Sequence, residues 1–354
     1  LAMDDRPLVY IGRLSPESSE SAFREALEAI GWRSIIDSGS TVAVKYNGCH
    51  FLYLPGLNTT PKFLAEVVRI LKERAGDVVV VEADLQRFSA DYVYENAGYK
   101  KMVEKEGGRF VNLSKDRMVD VEMPGAFWKR RKMPSTLVEA DHFITFPVLK
   151  THKLWNLSLG IKNQFGCVPE ADRVKYQKYL PEVVYDFNAY LKPSITLFDG
   201  HIGLEGDGPI AGIPKKVGVV IAGTNVVASD AVAARVMGFD PLSSGLIRYS
   251  HQKGLGPVEL ESIETKGLKV EDVMVKFRGP STDLVSRAER WVRRHPRLAN
   301  FVYRSWFFSV AKRFAWGVRG LYGYKSQYHR DVEATGLWKD YDWEHILKTY
   351  TPIA

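Results

Sequence analysis

Residues Asp77–Glu82 spell DVVVVE. A strand with one wet face alternates apolar and polar side chains, and four successive valines break that alternation. They suit a strand covered on both faces, as in a parallel sheet with helices on either side. The flanking sequence repeats the theme. Thr41–Tyr46 (TVAVKY) is a second strand of buried type. Between the two, Pro61 opens a helix with Leu64, Val67, Val68 and Leu71 on one face and Gly76 as its stop. Leu8–Gly12 (LVYIG) is an earlier strand. From Ser19 a helix follows, with Ala22, Phe23, Ala26, Leu27 and Ile30 at helical spacing and Gly31 ending it.

Downstream come a helix at Asp91–Ala97, a strand at His142–Val148 and a helix at Lys175–Tyr190. Strands at Ser194–Phe198 and Val217–Ala222 and a helix at Ala228–Met237 complete the series. Repeated strand–helix units predict an α/β fold with a mostly parallel or mixed sheet flanked by helices. Gly279-Pro280 marks its boundary. Residues 1–280 then form the α/β domain, and 281–354 a helical C-terminal appendage, basic and rich in aromatics.

The 354 residues are 45% hydrophobic and 26% charged, which supports a sizeable core and excludes wholesale disorder. Two cysteines, Cys49 and Cys167, exclude a disulfide framework and cannot supply a four-cysteine iron–sulphur cluster. No run reaches the ~18 apolar residues of a spanning helix. LAMDDRPLVYIG lacks a signal pattern, so the expected location is cytoplasmic, with peripheral membrane contact left open. The net charge of +7 is concentrated: Leu284 to Arg330 hold eleven Lys/Arg against one acid, which leaves the rest about −3. There Arg290, Arg293, Arg294, Arg297 and Arg304 lie beside Trp291, Phe301, Tyr303, Trp306 and Phe307. That mixture fits a helix docking to a membrane surface or a redox protein partner, and also one packing its aromatics on the sheet. Nucleic acid fits less well, since no reader motif accompanies it.

In sheets of this kind, ligands sit beyond the carboxyl ends of the strands. Four polar knots fall at such ends: Lys45–His50, Lys150–Lys153, Asp199–Gly212 and Thr224-Asn225. The second opens the stretch Phe146–Cys167, FPVLKTHKLWNLSLGIKNQFGC, which has no acid from one side of it, Asp141, to the other, Glu170. Convergent donors without acids suit a phosphate or carboxylate, so the expected partner is an anionic small molecule. Solvated surface lysines are the plainer alternative. In the functional reading His152 is a general acid/base, and Lys150 and Lys162 hold the charge. Lys45, Asn47, Lys153 and Asn163 bind substrate, and the glycine loop Asp199–Gly212 forms a wall or lid through Gly206 and Gly208. A desolvated Lys150 or Lys162 would also serve as a Schiff-base or general-base amine.

Cys49, His50, Cys167 and Asp199 are residue types that hold a divalent metal, if separate knots converge. Buried inert thiols are the commoner outcome. Asp230 would orient a lysine or metal, or sit at a helix N-terminus favoured by the dipole. No GxSxG, P-loop or Rossmann fingerprint is present.

Five segments agree in order and spacing with one known family: VKYNG (Val44–Gly48), LKTHK (Leu149–Lys153), GIKNQFGCVP (Gly160–Pro169), LFDGHIGLEGDGPIAG (Leu197–Gly212) and VVASDAVAARVMG (Val226–Gly238). Over about residues 40–265 the chain resembles the domain-of-unknown-function family numbered 362. The resemblance implies that Lys45, Asn47, Lys150, His152, Lys162 and Asn163 belong to the family's motifs, with Tyr46 where a proline is usual. Members are often attached to ferredoxin-like iron–sulphur modules, which this chain lacks, so any cluster would be supplied by a partner. The expectation is an uncharacterised α/β protein, more an enzyme than not, binding an anion in a Lys/His/Asn-rich pocket. The alternative is an iron–sulphur or redox accessory protein that docks through its C-terminal segment.

Overall fold

The computed structural model describes residues 6–280 except 52, 87 and 210, together with 291. Twelve strands occur among them: β1 (Leu8–Arg13), β2 (Thr41–Tyr46), β3 (Asp77–Glu82), β4 (Arg109–Asn112), β5 (Met118–Glu122), β6 (Arg130–Pro134), β7 (His142–Phe146), β8 (Val148–His152), β9 (Asn156–Ser158), β10 (Ile195–Asp207), β11 (Ala211–Gly223) and β12 (Glu264–Gly267). Ten of these make one mixed sheet in the order β12-β1-β11-β10-β7-β2-β3-β4, with β8 and β9 extending from β10. From β10 through β7, β2 and β3 to β4 the pairing is parallel, while β11 is antiparallel to both β10 and β1. Strands β5 and β6 form a separate hairpin.

The valine run behaves as its composition requires. Successive side chains of a strand point to opposite faces. Val79 and Val81 accordingly enter one core and Val78 and Val80 the other. The helices Ser19–Ala29 and Pro61–Lys72 cover the second core with Phe23, Leu27, Phe63 and Val67. On the opposite face Leu180–Leu191 and Val226–Val236 contribute Val183, Phe187, Val227 and Ala231. Each valine, leucine or phenylalanine side chain removed from water in this way contributes about 1.5–3 kcal/mol.

Three expectations need correction. The polar knot Lys150–Lys153, expected beyond the end of a strand, is mostly strand itself, because β8 resumes after Pro147 and pairs with β10 and β9 through Lys150, Thr151 and His152. Its polar side chains have protein partners, so burial does not exclude them. The glycine-rich segment Asp199–Gly212 is no lid: it is mostly the outer arms of a hairpin of two 13-residue strands. Gly208 lies where a Cβ would collide with the Thr151 carbonyl, so glycine admits the hairpin to β8. The helix expected from Lys175 begins as 3-10 turns over Arg173–Tyr179 and becomes α-helical at Leu180, with Pro181 in the first turn. The helices expected in 281–354 lie outside the described residues.

Candidate functional site

The site is built where β2, β3 and β7 end. Parallel register sets Lys45 level with Thr145 and Val81, so Glu82 lies one residue beyond. Lys45 Nζ donates to Glu82 Oε2 at 2.6 Å and to the Tyr46 carbonyl, with both side chains almost fully buried. Glu82 also accepts from the amides of Gly48 (3.1 Å) and Ala83 (3.0 Å). A Cβ on Gly166 would strike Lys45 and Glu82, so GIKNQFGC needs glycine there to close over the pair. Lys45 is therefore a framework ion pair, with its ammonium turned to Glu82.

Asn47 and Asn163 stitch the strand ends together. Asn163 Nδ2 donates to the Lys45 carbonyl (2.9 Å) and Thr145 Oγ1 (3.0 Å), and Asn47 Nδ2 donates to Asn163 Oδ1 (3.3 Å). Lys150 reaches the same spot from β8. Its Nζ donates to Asn47 Oδ1, the Leu57 carbonyl and Cys49 Sγ, the last at 3.4 Å. An ammonium has three N–H donors, so all of them are matched. Lys150 supplies positive charge without a free donor.

Lys162 differs. It is partly buried on the single helical turn Gly160–Asn163 and makes no hydrogen bond or ion pair among the described residues. Burial, reinforced by the Lys150 charge, pushes it down from the ordinary 10.5 to about 7. Burial also pushes Lys150 down, but there the three acceptors hold the protons. Lys162 is the amine left available.

The turn that carries Lys162 is fixed at both ends. Asn163 ties its last residue, while Asp230 accepts from Gly160 N (2.7 Å) and Ile161 N (2.9 Å). Asp230 thus caps a helix other than its own. Burial pushes its carboxyl up to about 8, against the pull of those two amides.

Strand alternation sets His152 on the same face of β8 as Lys150. His152 is buried and its Nδ1 accepts from Leu154 N at 3.1 Å, so the neutral ring carries its proton on Nε2. Thr151 faces the hairpin and donates to the Gly206 carbonyl at 2.7 Å. Lys153 leaves the strand, its amide bonded to the Gly208 carbonyl at 3.0 Å. Gly206 and Gly208 belong to this backbone packing rather than to a ligand cradle. The Gly206 amide donates to the Arg278 carbonyl (3.0 Å).

The proposed metal ligands do not converge. Among the described residues no group of three or more His, Cys, Asp or Glu is placed to hold a metal ion. Cys49 donates to the Leu57 carbonyl (3.0 Å), and the His50 ring stacks near Phe51, 4.6 Å between centroids. Cys167 is buried in the apolar core, which pushes its thiol up to about 12. Asp199 accepts from Thr60 N (2.8 Å) at the start of Pro61–Lys72, and burial pushes its carboxyl upward.

The residues missed in sequence are Glu82, Thr145, Asp230 as a cap, and Arg173. Arg173 is buried and donates to the carbonyls of Asp84 (2.8 Å) and Val168 (3.2 Å). Glu82 had a signal, an acid closing an all-valine strand at its carboxyl end.

Comparison with known proteins places the chain in context. A thylakoid-associated protein of Synechocystis sp. is 27% identical over 219 residues, covering 57% of this chain and 64% of its own, so the chain spans less than two thirds of that relative. Among solved structures, the lactate racemase apoprotein from Thermoanaerobacterium thermosaccharolyticum aligns at TM-score 0.35 and 15% identity, over 56% of this chain and 52% of its own. A Thermotoga maritima protein aligns at TM-score 0.32 and 12% identity, over 58% and 55%. The model of the family described as Domain of unknown function (DUF362) matches residues 42–235, the span that holds Lys45, Glu82, Lys150, Lys162 and Asp230, and the chain belongs to that family.

Proposed function

We propose that the chain binds a small anionic molecule, bearing a phosphate or carboxylate, at Lys162 and acts on it as an enzyme. One observation carries this reading: an amine without a partner among the described residues, beside a second lysine whose donors are already matched. Two neighbouring cations raise each other's energy, and an anion relieves both. Its position beyond the carboxyl ends of parallel strands is where such folds hold ligands. His152, on the Lys150 face of β8, is the candidate acid/base, and Asn47 and Asn163 keep the frame rigid. Lys153 follows at the end of β8.

Calorimetric titration of inorganic phosphate, pyrophosphate and oxalate into the full chain and its Lys162→Met variant tests this reading. At least one anion binds saturably to the parent, more tightly below pH 7 because the protonated amine attracts it. The variant binds it roughly tenfold to hundredfold more weakly, the worth of one charge-assisted hydrogen bond. Equal affinity in the two proteins contradicts the reading.

A second reading concerns location and partners. The +10 balance of Leu284–Arg330, and a relative named for thylakoid association, favour docking of the C-terminal segment at an anionic membrane or a redox partner. Among the described residues no helix is long and apolar enough to cross a membrane. An iron–sulphur cluster in this reading belongs to the partner.

A further inference from the structure

We propose that Arg173 is the group that recognises the anion, and that the ligand is a dianion shared between its guanidinium and the Lys162 amine. This inference rests on the anion-site reading and names the charge class of its ligand. Arg173 is only 8% exposed, and its Nη1 spends both protons on the carbonyls of Asp84 (2.8 Å) and Val168 (3.2 Å). Its Nε and Nη2 have no hydrogen-bond or ion-pair partner among the described residues. Together they form one edge of the guanidinium fork, which grips a carboxylate or phosphate through two parallel hydrogen bonds.

A buried charge without a counter-charge is costly, so buried arginines are as a rule paired. The acids whose charge reaches Arg173 are engaged elsewhere. Glu82 holds Lys45, and Asp84 Oδ1 accepts from Ala90 N and Asn112 Nδ2, both at 2.8 Å. Glu170 pairs with Arg131 and accepts from the Tyr176 hydroxyl at 3.1 Å. The position for a counter-ion is left to a ligand.

The fold brings this guanidinium to the strand ends that carry the lysines. The Asp84 carbonyl lies two residues beyond β3, and Asn47, which holds Lys150, lies one residue beyond the neighbouring β2. The chain running on from the Lys162 turn crosses these ends. Gly166 closes over the Lys45–Glu82 pair, while Phe165 and Val168 receive Arg173, its guanidinium carbon 5.8 Å from the ring centroid. Lys150 and Arg173 are accordingly the cations that act on Lys162. The three acceptors of Lys150 are neutral groups, so none of the three cations has a carboxylate partner among the described residues. At one position a dianion gains about twice the attraction of a monoanion from such a cluster.

The full chain is titrated at pH 7 and matched ionic strength with the dianions oxalate and sulfate and the monoanions acetate and nitrate. The dianions should bind roughly tenfold or more tightly, and Arg173→Lys, which keeps the charge and loses the fork, should weaken them about tenfold. The parent alone gives a second readout that needs no variant to fold. Oxalate should slow amide hydrogen exchange in peptides from residues 160–175, and acetate at the same concentration should not. Monoanions bound as tightly as dianions, unchanged affinity in Arg173→Lys, or no oxalate protection of those peptides overturns the proposal. If an anion then still binds in a Lys162-dependent way, this inference alone fails; if no anion binds the parent, the anion-site reading falls with it.

Discussion

Lys45 and Glu82 illustrate how a lysine in a motif can serve the frame instead of a ligand. Both are buried, 2.6 Å apart, and their attraction must offset the loss of hydration at two charges. Glu82→Gln leaves the Lys45 ammonium without its counter-charge. It should lower the unfolding free energy by about 3 kcal/mol, the range for breaking a buried pair. Urea denaturation measures this, and a loss below about 1 kcal/mol, the worth of a surface pair, would show that the pair is not structural. Lys45 stood out in VKYNG, but its partner did not. Glu82 gains its role across the β2–β3 register, which local pattern does not carry. Lys150, Lys162, Asn47 and Asn163 were all legible as polar residues at strand ends. Which of the lysines remained available was not, because it depends on acceptors from Asn47, Cys49 and Leu57, about a hundred residues from Lys150.

At the scale of elements, the turn Gly160–Asn163 matters most, and at four residues it is too short to hold itself together. Asp230 supplies both acceptors for its first amides. Asp230→Ala leaves two buried N–H groups unpaired and should cost about 2–3 kcal/mol, with anion binding weakened as Lys162 loses its fixed mount. Asp230→Asn, which keeps one acceptor, should fall between the two. Thermal and urea unfolding of both variants, with phosphate titration, checks the order, and an Asp230→Ala protein as stable as the parent would refute it. The sequence suggested Asp230 at the start of its own helix. Its carboxylate instead serves a neighbour, a long-range pairing invisible to helix-end rules. Strand β8 is hidden in the sequence for a related reason: Lys150, Thr151 and His152 look like solvated residues beyond a strand until their partners are known. The regular strands β2 and β3 matched their expected ends, since apolar runs bounded by polar residues carry their own limits.

Across the described residues, a mixed sheet with a core on each face holds the buried Lys45–Glu82 pair at its strand ends. The basic C-terminal segment lies outside the described residues, and its role stays with the docking proposal. Within the described body, the anion-site proposal turns on Lys162 being an amine held out of water. Folding then carries a penalty tied to that one group. Its folded value, about 7, lies below the ordinary 10.5. The unfolded chain therefore binds the extra proton between these values, and the penalty is full below 7 and fades as pH rises towards 10.5. The most direct measurement is the unfolding free energy of the parent and Lys162→Met by urea denaturation from about pH 6 to pH 10. The variant's advantage should be greatest at the acid end and narrow steadily above pH 7. A difference that stays constant with pH would mean that Lys162 titrates as an ordinary solvated lysine, with no buried amine behind the proposed site.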